Sequence, residues 1–282
     1  MRPESKFSEN DIEAMEPLEK LGLYATLNPD GLPHITFINS LMANTPTELT
    51  FGQFVKGSSK WFMQKNPKVG FFILSPQKKR MWMGNALWRE KKDEGAELDK
   101  YKAMPMQRYN SYFPINRIHY LDLVKTSTSL KIPVLSMLKS ILLTRFAKRG
   151  AATKIQKRVL NPYSETLFNK ITSMKFFSFK GSDGFPVLIP VFEAQAADSR
   201  RLVFNPGPFK KELDMIQINA DVAVFALSLK LESVLTRGTF TGFRKYNGVK
   251  LGIIDLDWVY NSMPPNAGQI YPETKLEAVT EF

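Results

Sequence analysis

The chain contains no cysteine. Disulfides, thiolate-bound zinc, iron–sulfur clusters and thiol nucleophiles are thereby excluded, while the redox state of its compartment stays open. Histidine is scarce: His34 and His119 are the only two, far apart and each inside a run that reads as a strand. They are read as ordinary strand residues rather than as metal or haem ligands. No catalytic triad, metal cluster or paired carboxylate stands out. No apolar run reaches the roughly 20 residues that span a bilayer. The opening "MRPESKFSENDIEAMEPLEK" is polar and acidic, without the apolar centre of a signal sequence. The expected location is the cytoplasm. One further absence is local. From Leu123 to Ser164 there is no Asp or Glu, whereas Lys125, Lys131, Lys139, Arg145, Lys148, Arg149, Lys154, Lys157 and Arg158 all fall there.

What is present suits a large core. The 282 residues allow one large domain or two ordinary ones, and 43% are hydrophobic, with 21 Phe against 4 Trp. Most of the net charge of +12 sits in the acid-free stretch, and a basic balance of this kind can mean nucleic acid, anionic lipid or a phosphorylated ligand.

Two segments echo one another. "TLNPDGLPHITF" (Thr26 to Phe37) and "FKGSDGFPVLIP" (Phe179 to Pro190) both set Asp-Gly-x-Pro between apolar strands, 153 positions apart. At that shift Asp30/Asp183, Gly31/Gly184, Pro33/Pro186, Leu49/Leu202, Phe51/Phe204, Asn66/Asn219, Val69/Val222, Phe72/Phe225 and Leu74/Leu227 coincide without a gap. The matches fall at turns, on strands and at a helix–strand junction, which reads as an internal repeat. Asp-Gly between apolar runs signals a hairpin, because Gly accepts the positive φ that tight turns demand.

Each half reads strand, Asp-Gly turn, strand, turn, strand, short helix, strand. Two longer strands follow, Arg80–Trp88 with His119–Thr126 in one half and Ser233–Phe243 with Gly252–Val259 in the other. Asn66–Pro67 stops the first short helix. The first half holds an insertion around "AELDKYKAMPMQRYNSYFP", read as a helix and a loop. Six or so antiparallel strands with one helix predict a small β-barrel per half. Between the halves, Ile132 to Arg149 is read as an amphipathic helix, its apolar face packed inward and its basic face in water, followed by a second helix around "AATKIQKRVL". The expected domains are 1–126, a helical basic connector at 127–172, and 173–282.

Asp30, Gly31 and Pro33, then Phe51, then Ser58 and Lys60 on a short helix closed by Asn66, Pro67 and Val69, form an ordered pattern. It resembles the FMN-binding split-barrel proteins related to pyridoxamine 5'-phosphate oxidase, over roughly 21–126 and again over 174–261. The resemblance implies a mainly β fold of two tandem split barrels, a flavoprotein with FMN as cofactor, and a dimer-like pair fused in one chain, with further homodimerisation left open. It also implies an oxidoreductase acting on a small-molecule substrate or electron donor.

For the phosphate end of FMN, Ser58 or Ser59 is the expected N-cap of a helix starting near Lys60. Free N–H groups, hydroxyls and the Lys60 charge would hold the anion, with Gly57 allowing close approach and Lys56 assisting. For the flavin ring the resemblance implies Phe37, Ile38 and Asn39, together with Phe51, Gly52 and Gln53, with Trp82 and Trp88 as stacking candidates. In the second half, Lys210, Lys211, Glu212 and Leu213 stand opposite Gly57–Lys60, so the competent site is expected in the first barrel. The same resemblance allows a non-catalytic flavin or haem binder. A different class, an anionic-membrane or nucleic-acid binder acting through the basic segment, competes with it, although nucleic acid is not the expected partner.

Overall fold

A computed structural model describes residues 3–17, 19–54, 57–103, 115–153, 157–262 and 268–274. The first part contains β1 (Pro3–Glu4), α1 (Glu9–Met15), β2 (Leu21–Leu27), β3 (Pro33–Phe37), β4 (Met42–Thr45), β5 (Glu48–Gln53), α2 (Ser58–Lys65), β6 (Lys68–Ser75), β7 (Arg80–Lys92), α3 (Ala96–Ala103), β8 (Arg117–Ser127) and β9 (Leu130–Lys131). Then come α4 (Val134–Ala147), α5 (Pro162–Asn169), β10 (Met174–Lys180), β11 (Pro186–Pro190), β12 (Gln195–Asp198), β13 (Arg201–Phe204), α6 (Lys210–Leu213), β14 (Asp221–Leu227), β15 (Ser233–Tyr246), β16 (Val249–Asn261) and β17 (Gly268–Tyr271). The chain divides into two compact units, Met1–Pro133 with Ser178–Ile189, and Val134–Phe177 with Pro190–Phe282.

The fold is mainly β, built on two antiparallel sheets. The first runs β3-β2-β6-β7-β8-β5-β4 and the second β11-β10-β14-β15-β16-β13-β12, so the two orders correspond strand for strand. Seven strands laid flat would span about 29 Å between the outermost pair. Yet β3 and β4 are joined by residues 38–41 alone, and the five steps from Phe37 to Met42 reach at most about 18 Å. The sheet must therefore curl until its edges approach, leaving a barrel split between β3 and β4. Residues 191–194 impose the same curl on the second sheet.

In the first unit the curled sheet closes over Tyr24, Phe51, Phe71, Ile73, Trp82 and Leu121, with α1 and α3 adding Met15, Leu98 and Tyr101. Both Asp-Gly hairpins form as their sequences require. Gly31 and Gly184 lie at φ +80° and +76°. Each turn is closed by the same two bonds, Gly31 N–H to Asn28 O and Asn28 N–H to Leu32 O, matched by Gly184 to Gly181 and Gly181 to Phe185. The 178–189 hairpin is part of the first unit. There Lys125 pairs with the Asp183 carboxylate at 2.7 Å, Lys68 Nζ donates to Asp183 O at 2.9 Å, and Asn85 Nδ2 donates to Pro186 O at 2.9 Å.

Two helix expectations need correction. The described residues of "AATKIQKRVL" carry no α-helix; after a 3-10 turn at Lys148–Ala151 the second helix is α5, started by Pro162 and capped by Asn161, whose Oδ1 accepts from Ser164 N–H at 2.8 Å. The 104–114 part of the insertion lies outside the described residues, and α3 is its helix. More consequentially, α4 keeps Lys139 and Arg145 in water as expected but packs only part of its apolar surface inward. Its buried residues are Met137, Ser140, Ile141, Thr144 and Ala147, while Leu135, Leu138, Leu142 and Phe146 are exposed. The inner face is fixed by polar bonds: Thr144 Oγ1 accepts from Asn205 N–H at 2.9 Å, and Gln195 Nε2 donates to Ile141 O at 3.0 Å. Among the described residues no helix is long and apolar enough to cross a membrane.

Gly70 on β6 pairs with Asn85 in the ladder, and a Cβ there would lie 2.2 Å from Pro186 O, the atom that Asn85 holds. Gly70→Ala is expected to displace this carbonyl and to destabilise the protein by about 1–3 kcal/mol. Chemical denaturation measures it; a midpoint unchanged from the parent would disprove the packing.

Candidate functional site

Strand β5 delivers the chain from Gln53 to α2, a helix of eight residues. Its N-cap is Gly57, extended at φ −135°, and no side chain caps it. The expected serine cap is thus corrected: Ser58 is already the first helical residue, and Ser59 is buried and turned to Thr36 Oγ1, with which it makes a short hydroxyl–hydroxyl bond. Among the described residues, no side chain caps the first-turn N–H groups. Val55 and Lys56, including the expected phosphate contact Lys56, lie outside the described residues.

Lys60 sits on this first turn. It makes no hydrogen bond or ion pair among the described residues, and burial lowers its ammonium pKa to about 8. Nearby, His119 on β8 is fully buried. Burial, then the positive charges of Lys60, Lys91 and Arg117, push its pKa down to about 3, so the ring is neutral at physiological pH. Its tautomer follows from its partners. The Trp88 indole N–H can only donate, and it meets Nδ1 at 3.1 Å; Nε2 therefore carries the proton and donates to Gln53 Oε1 at 2.8 Å. Gln53 is thereby oriented with Nε2 as its remaining donor. Both ring nitrogens of His119 are engaged, which leaves neither for haem or metal, and no metal-binding cluster occurs among the described residues.

The other expected residues divide. Phe51 stacks between Tyr24 (5.1 Å between centroids) and His119 (4.6 Å, 3° between planes). Gly52 is clasped by Ser40, whose hydroxyl accepts from Gly52 N–H and donates to Gly52 O at 3.1 and 3.0 Å. Tyr101 OH braces the same residue by donating to Ser40 O at 2.8 Å. Phe37 and Asn39 are partly exposed at the end of β3, with Ile38 buried between them, its N–H on Gly22 O at 2.8 Å. Trp82 is not brought to this group: it lies in the core, with its indole N–H donating to Asp11 Oδ1 at 2.8 Å. Sequence reasoning missed Thr36, Lys91, Arg117 and the role of His119, all of which depend on cross-strand neighbours.

The second unit keeps Phe204 in the place of Phe51, and Val191 N–H on Lys175 O in the place of Ile38 on Gly22, but replaces the polar groups. Leu213, fully buried, stands where Lys60 does, and Pro206 where Gln53 does. Phe204 pairs with Gly252 in the ladder where Phe51 pairs with His119. Lys210 is neutralised by Asp214. At the place of Ser40 stands Glu193, buried without a hydrogen-bond partner and pushed up to about 8 by burial. An open surface depression of about 560 Å³ lined by Arg158, Glu165, Thr166, Asn169 and Lys170 in this unit shares no residue with the Lys60 group.

No protein-family profile matches the sequence, and no curated protein does. Among solved structures, the chain is similar to a candidate pyridoxamine 5'-phosphate oxidase from Lactobacillus delbrueckii, at 18% identity and TM-score 0.36, over 45% of this chain and 100% of that one. It is similar to an FMN-binding protein from Syntrophomonas wolfei, at 13% identity and TM-score 0.36, over 44% and 86%. It is also similar to an F420 reductase at 20% identity and TM-score 0.34, over 43% and 98%.

His119 has a folded-state pKa below its ordinary 6.5, so the unfolded chain binds the extra proton first. Its contribution is full above about pH 6.5 and is lost as pH falls toward 3. Acid titration of unfolding free energy is expected to flatten over this interval in His119→Asn relative to the parent. Parallel profiles would refute the assignment of a neutral buried imidazole.

Proposed function

We propose that the first unit binds FMN through its phosphate at Lys60 and the start of α2, and that the chain is an FMN-dependent oxidoreductase acting on a small molecule. The observation that carries this reading is the Lys60 ammonium, partly buried on the first turn of α2 and facing no carboxylate among the described residues. A partly buried cation without an anion is disfavoured, and a bound phosphate would relieve it while the first-turn N–H groups of α2 add their partial charge. The excess of Lys91 and Arg117 in the same neighbourhood supports an anionic ligand over a neutral one.

The residues fit the cofactor. Lys60 and the α2 start would hold the phosphate, with Lys56 as a further candidate. Gln53 Nε2 and the backbone of 37–39 would meet the ring. FMN supplies the redox chemistry when bound, and the protein supplies binding and orientation. His119 serves by fixing which face of the Gln53 amide is offered, and Ser40 by holding the Gly52 backbone. The corresponding strand orders and the 153-residue echo support a duplicated, dimer-like chain with domains at 1–126 and 173–282 and a connector between them. The dismantled second site supports one cofactor per chain.

Titration of the purified protein with FMN and with riboflavin tests this. FMN is expected to bind one per chain and Lys60→Ala to weaken it by about 10–100-fold, the scale of one lost charge-assisted bond, with riboflavin affinity unchanged. Lys60 is charged below about 8, so FMN affinity should fall as pH rises through that value, and the fall should vanish in Lys60→Ala. Equal affinities of the parent for FMN and riboflavin would overturn the phosphate site.

A further inference from the structure

The outward face of α4 has no role in the flavin reading, and it is the least ordinary surface of the second unit. Leu135, Leu138, Leu142 and Phe146 are 85%, 46%, 62% and 66% exposed. Their spacing of three and four residues aligns them along one side of the helix. At 100° per residue, Arg145 falls on one flank of this line and Lys139 on the other. Lys131 just before the helix and Arg149 just after it are exposed as well. None of these four cations takes part in an ion pair among the described residues. Surface helices of globular proteins normally bury their apolar stripe; here the buried side holds Met137 and Ile141 together with Ser140, Thr144 and Ala147, while three leucines and a phenylalanine are exposed.

We infer that this face docks on an anionic lipid bilayer, with α4 lying in the headgroup plane. The leucines and Phe146 would enter the acyl boundary while Lys131, Lys139, Arg145 and Arg149 meet lipid phosphate. The 14-residue helix is too short to span the bilayer, so it rests on the surface. Charge selects this occupant. A second copy docking through the same face would set the basic flanks against each other, and the 123–164 stretch holds no acid to relieve that repulsion. Nucleic acid would satisfy the cations and leave the leucines in water.

Sedimentation of the full chain with vesicles tests the inference without reference to flavin. Binding is expected to phosphatidylcholine vesicles containing phosphatidylglycerol, with little to phosphatidylcholine alone, and it should weaken with salt. The double variant Leu138→Ser with Leu142→Ser, at exposed positions that leave folding intact, should lose affinity at least about tenfold. Lys139→Glu with Arg145→Glu should abolish the preference for the anionic lipid. Absence of binding at low salt, equal binding to neutral vesicles, or a dimer in ultracentrifugation that the leucine variant dissociates would each overturn the proposal.

Discussion

Four residues, 38–41, tie one edge of the first sheet to the other, and the geometry of the candidate site depends on that link. It is too short for a flat sheet, so the strands roll, and its own atoms fix what lies beside the split. Ile38 N–H is held by β2 at Gly22 O, and Ser40 grips Gly52 on β5 through both its donor and its acceptor. The end of β5 is therefore a fixed point. Gln53 leaves from it toward His119, and the chain turns there into α2 and Lys60. The restraint on the sheet edges is thus also the restraint on the groups of the candidate site.

The site is organised by an imbalance of charge rather than by a catalytic constellation. Burial, aided by Lys60, Lys91 and Arg117, keeps His119 neutral, and a neutral His119 with its proton on Nε2 keeps Gln53 in one orientation. No carboxylate answers these cations within the described residues, which is the electrostatic condition an incoming anion relieves. The second unit resolves the same positions by removing them: leucine for the ammonium, proline for the amide, glycine for the imidazole.

The parts of this structure that were legible in the sequence are those whose chemistry is local. Asp30–Gly31 and Asp183–Gly184 specify their own turns, Asn66–Pro67 stops its own helix, and apolar runs mark the longer strands. The orientation of α4 was not legible, because apolar residues occur on both of its faces, Met137 and Ile141 inside and Leu135, Leu138, Leu142 and Phe146 outside. Periodicity cannot tell the inside from the outside of such a helix; that is decided by Asn205 and Gln195, more than fifty residues away. The serine cap failed for a related reason. Ser59 has a competing hydroxyl at Thr36, across the sheet, and Gly57 takes the extended backbone at the helix start. His119 looked like an ordinary strand residue, since its meaning comes from Trp88 and Gln53 on neighbouring strands. The short β1, β9 and β17 left no pattern, being only two to four residues long.

The substitution of Gly252 for His119 carries an implication for how sequences of this kind can change. Gly252 exists under the ring of Phe204, where any Cβ would come within 2.3 Å of the ring. Restoring an imidazole there first requires Phe204 to move or shrink, and the imidazole gains nothing until an amide replaces Pro206 and an ammonium replaces Leu213. A change at Gly252 alone therefore passes through a less stable chain. The close packing of Phe204 on Gly252 thus holds the second half to its present composition at this position.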